Sequence, residues 1–157
     1  MYKKYLTKEQ ALQKLKHYCG YQERCHAEVK TKLYELGVSK SYHDEIISTL
    51  IEEDYLNEER FANAFARGKF RMKQWGRVKI KYELKQKQVS EYCIKKALKE
   101  INEEDYIKTV NELAEEKYAS LKSEQYLVRK KKTMDYLFQK GFEPALINEA
   151  IQKITHS

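Results

Sequence analysis

The chain has 157 residues, of which 41% are apolar and 35% charged, with one proline, five glycines and a net charge of +7. That length allows one ordinary domain or an array of small units with a real core. So little proline and glycine excludes a sandwich or barrel built on many tight turns. Lys, Glu, Leu, Ala and Gln, which lose little rotamer freedom in a helix, dominate the composition and predict an all-α protein.

In TKEQALQKL, Thr7 and Gln10 stand at the spacing of a capping box, and Leu12, Leu15 and Cys19 then share a face up to Gly20. EVKTKLYELG places Val29, Leu33 and Leu36 on a stripe that stops at Gly37. SYHD suggests a second box, Ser41 to Asp44, followed by Ile46, Ile47, Leu50 and Ile51 as core. Three helices are thus predicted in the first third.

The pattern recurs. Asn57 opens a helix with Phe61, Ala62, Phe65 and Ala66 on its apolar face; RVKIKYELKQKQV is the next helix, and Ser90 caps a third carrying Ile94, Leu98 and Ile101. Asn102 and Asp105 form a further box before Val110, Leu113, Ala114 and Tyr118. LVRKKKTMDYLFQKG ends at Gly141, and Pro144, at a first helical position, opens a last helix with Ile147, Ile151 and Ile154. Leu33, Leu84 and Leu137 each precede a stop (Gly37, Gln88, Gly141) by four residues, and Val38, Val89 and Phe142 follow those stops. This register predicts three tandem three-helix units, residues 6–54, 55–102 and 103–157, stacked into an elongated, curved array with joints near Asp54 and Asn102.

One segment conflicts locally. Val78, Ile80, Tyr82 and Leu84 alternate with polar residues, a strand signal. The match of Leu84 to Leu33 and Leu137 favours a helix with Ile80 and Leu84 inward.

Charge is unevenly placed. Residues 1–52 carry net +2, residues 53–102 net +6 and residues 103–157 net −1. Most of the excess lies in FARGKFRMKQWGRVKIKYELKQK, residues 65–87, with nine Lys or Arg and one acid, Glu83. Such a run is either a solvated face whose lysine stems cover apolar surface or a contact for an anionic partner. Arg77, Lys81 and Lys85 follow helical i, i+4, i+8 spacing and are the first candidates for partner binding, followed by Arg71 and Lys73. A second cluster, with Arg129, Lys130 and Lys132 as candidates, occupies the equivalent helix of the third unit. Trp75, beside Gly76, suits a plug between helices or a stacking platform. Arg60 suits an internal ion pair.

HYCGYQERCH sets His17, Cys19, Cys25 and His26 close together, but their spacing fits no common zinc knuckle, so no metal is expected. Nothing resembles a phosphate loop, a nucleophile with its base, or a convergent carboxylate pair; no catalytic residue and no cofactor are expected. MYKKYLTKEQ lacks the apolar core of a leader and no stretch approaches about 18 apolar residues, which predicts a soluble, cytoplasmic protein without membrane contact. An odd count of three cysteines argues against a disulfide framework.

EEDYLNEERFANAFARGKF followed by RVKIKYELKQKQVS resembles the signature of the RecX family, regulators of the bacterial recombinase RecA. Arg60, Phe61 and Ala62 carry its first part, and Ile80, Glu83 and Leu84 its second. Only Gly76 stands where the family has Gly-x-Gly-Pro, and Gln88 replaces a turn glycine. The resemblance implies three three-helix units and a monomeric binding protein without catalytic residues. Its expected partner is the RecA–DNA filament, whose groove it would occupy while restraining strand exchange and ATP hydrolysis. Salt-sensitive contact with single- or double-stranded DNA is a further expectation. The alternatives are a helical protein acting directly on DNA and an accessory subunit docking on an acidic partner.

Overall fold

The computed structural model describes residues 6–156. Residues 1–5, which belong to the stretch read for a leader, and Ser157, the end of the third unit, lie outside the described residues. Among the described residues there are nine α-helices and no strand: α1 (Lys8–Tyr21), α2 (His26–Glu35), α3 (His43–Glu52), α4 (Glu58–Lys73), α5 (Arg77–Gln86), α6 (Glu91–Lys99), α7 (Glu103–Ser120), α8 (Tyr126–Lys140) and α9 (Pro144–Thr155). The fold is all-α, and the alternating segment Val78–Leu84 is helical, with Ile80 and Leu84 fully buried and Val78 and Tyr82 exposed.

Side-chain chemistry sets the starts. Thr7 Oγ1 accepts from the Gln10 amide at 3.1 Å while Gln10 Oε1 accepts from the Thr7 amide at 3.0 Å, satisfying two donors that the first turn cannot. Asn57 accepts from the Arg60 amide, Ser90 from the Cys93 amide and Asn102 from the Asp105 amide. Pro144 sits at the start of α9, where its missing N–H costs nothing.

The stops repeat three times. Gly37, Gln88 and Gly141 adopt left-handed φ values of 70°, 62° and 93°. The next amide then turns back to the helix: Val38 donates to Leu33 O at 3.0 Å, Val89 to Leu84 O at 3.1 Å and Phe142 to Leu137 O at 3.2 Å. Each closing residue and each of the three leucines is buried, so one hydrogen bond and one apolar contact together end α2, α5 and α8.

Several details differ from expectation. Ser41 and Asp44 form no capping box; a short 3₁₀ turn, Lys40–Tyr42, precedes α3 and Tyr42 stands at its N-cap without a side-chain bond. The Ser41 hydroxyl instead shares a hydrogen bond with Ser39 Oγ at 2.9 Å, and α3 starts at His43, one residue later than that box implies, with the buried His43 ring bonded to Val38 O at 3.0 Å. α1 continues through Gly20 to Tyr21, and Ala11 is buried where Leu12 is only half-buried. Ile51, expected in the core, is 45% exposed, and Leu98 and Ile154 are half-buried.

Two compact bodies result. The first is the chain through Phe65 with Leu84–Lys96; the second is Ala66–Glu83 with the chain from Ala97 onward. In the first, α1, α2 and α3 pack on one another around Ala11, Leu15, Val29, Leu33, Ile46 and Leu50, all essentially without exposure. Each such Leu, Ile or Val contributes roughly 1.5–3 kcal/mol. Arg60 joins this body as an internal ion pair, bonding Glu23 Oε1 at 2.6 Å and Asp54 Oδ1 at 3.1 Å. In the second, α7, α8 and α9 pack mutually around Tyr106, Val110, Leu113, Leu137, Phe142, Ile147 and Ile151.

Candidate functional site

The turn between α4 and α5, within the second body, holds four of the eight candidate cations, Arg71, Lys73, Arg77 and Lys81. It begins where α4 runs out at Lys73 and Gln74 takes a left-handed φ of 57°. Gly76 then sits directly on the end of α8: its amide donates to Lys140 O at 2.7 Å, and the Val78 amide donates to Gly141 O at 2.9 Å. A Cβ on Gly76 would stand 2.3 Å from Gly141 O, so only glycine allows this backbone approach. Lys140 Nζ completes the seat by donating to Lys73 O at 2.9 Å.

Arg77 belongs to that seat. Its guanidinium lies 3.8 Å from the Tyr106 ring centroid, pairs with Glu143 at 2.7 Å and also with Glu103. The Arg77 amide donates to Tyr106 Oη at 2.9 Å, and that hydroxyl in turn donates to Glu143. Burial works against the guanidinium charge, but the bond to Glu143 and the surrounding negative charge outweigh it and hold the Arg77 pKa above its ordinary value. Burial, followed by the bond to Glu143, pushes the Tyr106 phenol well above the usual phenol range. Phe70 and Phe142 pack against the Tyr106 ring at centroid distances of 5.7 and 5.4 Å. The stripe Arg77, Lys81, Lys85 is therefore not three equivalent charges: Arg77 is spent on the fold.

The remaining cations sort by partner. Arg71, Lys73 and Lys81 are exposed and meet no carboxylate among the described residues. Lys69 Nζ and Lys79 Nζ lie 5.0 and 4.5 Å from the Trp75 ring, so the half-buried indole carries two ammonium groups. Lys85, in the first body, faces Glu91 at 3.4 Å. In the second cluster Arg129 lies 3.6 Å over the Tyr118 ring and donates to Tyr118 O at 2.7 Å, while Lys132 pairs with Glu124 at 2.6 Å. Lys130 is half-buried and meets no carboxylate among the described residues. Sequence reading missed Tyr106 and Glu143, which lie 29 and 66 residues beyond Arg77. No spacing rule links positions so far apart.

Among the described residues no cluster of His, Cys, Asp or Glu could hold a metal ion. Cys19, Cys25 and Cys93 are buried and free; burial pushes the Cys19 thiol up to about 11. No described helix is long and apolar enough to cross a membrane.

Comparison with known proteins identifies the scaffold around this turn. The model of the RecX second three-helix domain matches residues 57–98, and that of the RecX third three-helix domain matches residues 103–151. The chain belongs to the RecX family. Regulatory protein RecX of Clostridium perfringens is 34% identical over 133 residues, covering 83% of this chain and 61% of that protein. Regulatory protein RecX of Bacillus cytotoxicus is 30% identical over 137 residues, covering 87% of this chain and 51% of that one. The chain thus spans about half to three-fifths of the length of these RecX relatives. The crystal structure of RecX from Lactobacillus salivarius matches with a TM-score of 0.85 at 25% identity, covering 96% of this chain and 97% of that one. A second RecX crystal structure matches in fold with a TM-score of 0.84 at 22% identity, covering 93% of this chain and 71% of that one.

Proposed function

We propose that this RecX-family chain is a regulator that binds the RecA–DNA filament in the bacterial cytoplasm and restrains its strand exchange and ATP hydrolysis. It acts as a monomer and by binding alone, with no reaction of its own. The observation that carries this reading is the set of exposed cations at the α4–α5 turn, Arg71, Lys73 and Lys81, which meet no carboxylate among the described residues, on a chain of this family. Lys130 and Lys85 add charge to the same role, while Arg77, Arg129 and Lys132 act through the internal contacts that position their helices. Exposed cations of this kind speed encounter with an anionic surface and fix orientation more than they add raw affinity.

The test is RecA strand exchange and ATP hydrolysis titrated with the protein at substoichiometric ratios, alongside binding to RecA-coated and naked single strands. Inhibition is expected below one copy per protomer, with clear preference for the coated strand. Binding to naked duplex DNA through three phosphate contacts would fall with a log–log salt slope of about −3. Equal affinity for coated and naked strands, or undiminished recombinase activity, would overturn the reading in favour of direct action on DNA.

A further inference from the structure

The first body carries a second cationic feature, formed by α1, α2 and the loop between them. A groove of about 520 Å³ is lined by Lys14, His17, Tyr18, Tyr21, Arg24 and Lys32, with Leu36 closing it and no acid in its walls. That volume lies in the range of binding clefts. Lys14, His17 and Lys32 pair with no carboxylate among the described residues.

Arg24 is held for use. Its Nε donates to Tyr18 O at 3.1 Å, and its guanidinium carbon lies over the Tyr18 ring, 3.6 Å from the centroid. Those two contacts hold the guanidinium in place and leave both terminal amino groups without a hydrogen bond among the described residues. The same clamp recurs at Arg129, whose Nε donates to Tyr118 O with its guanidinium 3.6 Å over that ring. A guanidinium fixed in this way presents a planar fork suited to the two oxygens of a carboxylate.

We propose that this groove docks a short acidic peptide segment, one carboxylate taken by Arg24, neighbouring acids by Lys14 and Lys32, and an apolar side chain resting on Leu36. The groove joins its cations to an apolar wall at Leu36, which suits a short segment carrying both carboxylates and an apolar side chain. The Tyr18 ring is covered by Arg24, with Lys32 Nζ at 5.4 Å, so of the two groove tyrosines only Tyr21 presents an open ring, one platform where a nucleic-acid strand needs several for successive bases. The groove lies wholly in the first body, so the inference does not rest on the reading of the α4–α5 turn.

The test is fluorescence anisotropy with the intact protein and a fluorescein-labelled twelve-residue peptide of Asp and Glu around a single Phe. Its Asn/Gln counterpart and a twenty-nucleotide oligo-dT serve as comparison probes. Saturable binding of the acidic peptide is expected. It should weaken at least tenfold in Lys14→Glu/Lys32→Glu, and at least threefold in Lys14→Glu alone, an exposed α1 position whose fold is checked by circular dichroism. Arg71→Glu/Lys73→Glu/Lys81→Glu should keep that binding within twofold. Four results would each overturn the proposal. They are no binding to the wild type, equal binding of the amide peptide, binding unchanged by the groove variants, and oligo-dT held at the groove more tightly than the peptide.

Discussion

At the head of α8, Arg129 stacks on Tyr118, Lys131 pairs with Asp135 at 2.8 Å and Lys132 with Glu124 at 2.6 Å, whereas at the α4–α5 turn Arg71, Lys73 and Lys81 meet no carboxylate among the described residues. Both stretches belong to the second body, and as sequence both are simply basic. The difference is the supply of acids within reach. Residues 65–87 contain one acid, and those that serve Arg77 come from the starts of α7 and α9. Cations become available to a partner where the fold has no counter-charge to give them, so local charge density is a poor guide until partners are known. Surface pairs such as Lys131–Asp135 add only a few tenths of a kcal/mol, but they also withdraw the charge from recognition.

The contrast is broken most severely by removing the seat of the turn. Gly76→Ala pushes a methyl into the Gly141 carbonyl and the Phe142 amide, backbone atoms that cannot swing away. A loss of about 3 kcal/mol in urea denaturation is expected. Stability within 0.5 kcal/mol of wild type, a margin typical of neutral surface changes, would show that the turn is not seated in this way.

Tyr106→Phe comes next. It removes the acceptor of the Arg77 amide and the donor to Glu143 in a fully buried place, at a cost of about 2 kcal/mol near neutral pH. The folded phenol titrates well above the unfolded one, so above about pH 10 the native state holds a proton that the unfolded state has lost. Wild-type stability should therefore fall as pH rises through that range, and the gap to Tyr106→Phe should close. A gap that stays constant up to pH 11, beyond the ordinary phenol value of about 10, would show that the phenol is not perturbed.

Charge reversal sharpens the comparison directly. Arg71→Glu/Lys73→Glu/Lys81→Glu should weaken filament binding about tenfold, near 1.4 kcal/mol, with unchanged unfolding. Lys131→Glu/Lys132→Glu should weaken it less than twofold. Equal losses would mean that internal pairing does not decide which cations are displayed. The smallest effect belongs to Glu124→Gln, which releases Lys132 at a stability cost under about 0.5 kcal/mol. A slight gain in affinity is expected, readable in the same binding assay.

Helix starts at Thr7, Ser90 and Asn102 were legible because a cap is a matter of one side chain and an amide three residues on. The three stops were legible for the same reason: Leu, a left-handed residue and an apolar residue recur at fixed spacing. The Ser41–Asp44 box failed because competing local bonds won: Ser41 Oγ bonds Ser39 Oγ, a 3₁₀ turn takes up Lys40–Tyr42, and the His43 ring bonds Val38 O five residues back. The basic run was visible, but the division between Arg77 and its neighbours was not, since Glu103, Tyr106 and Glu143 approach only after folding. The contact of Gly76 with Gly141 was hidden for a simpler reason: close backbone approach leaves no side-chain signature.

Gln88 does at the end of α5 what Gly37 and Gly141 do at the ends of α2 and α8, with a side chain attached. An L-residue held there carries about 1–2 kcal/mol of torsional strain that its two counterparts lack. The Val89 amide should therefore exchange with deuterated solvent sooner than those of Val38 and Phe142, although all three make the same bond. Of the three matching helix ends, the middle one should open first.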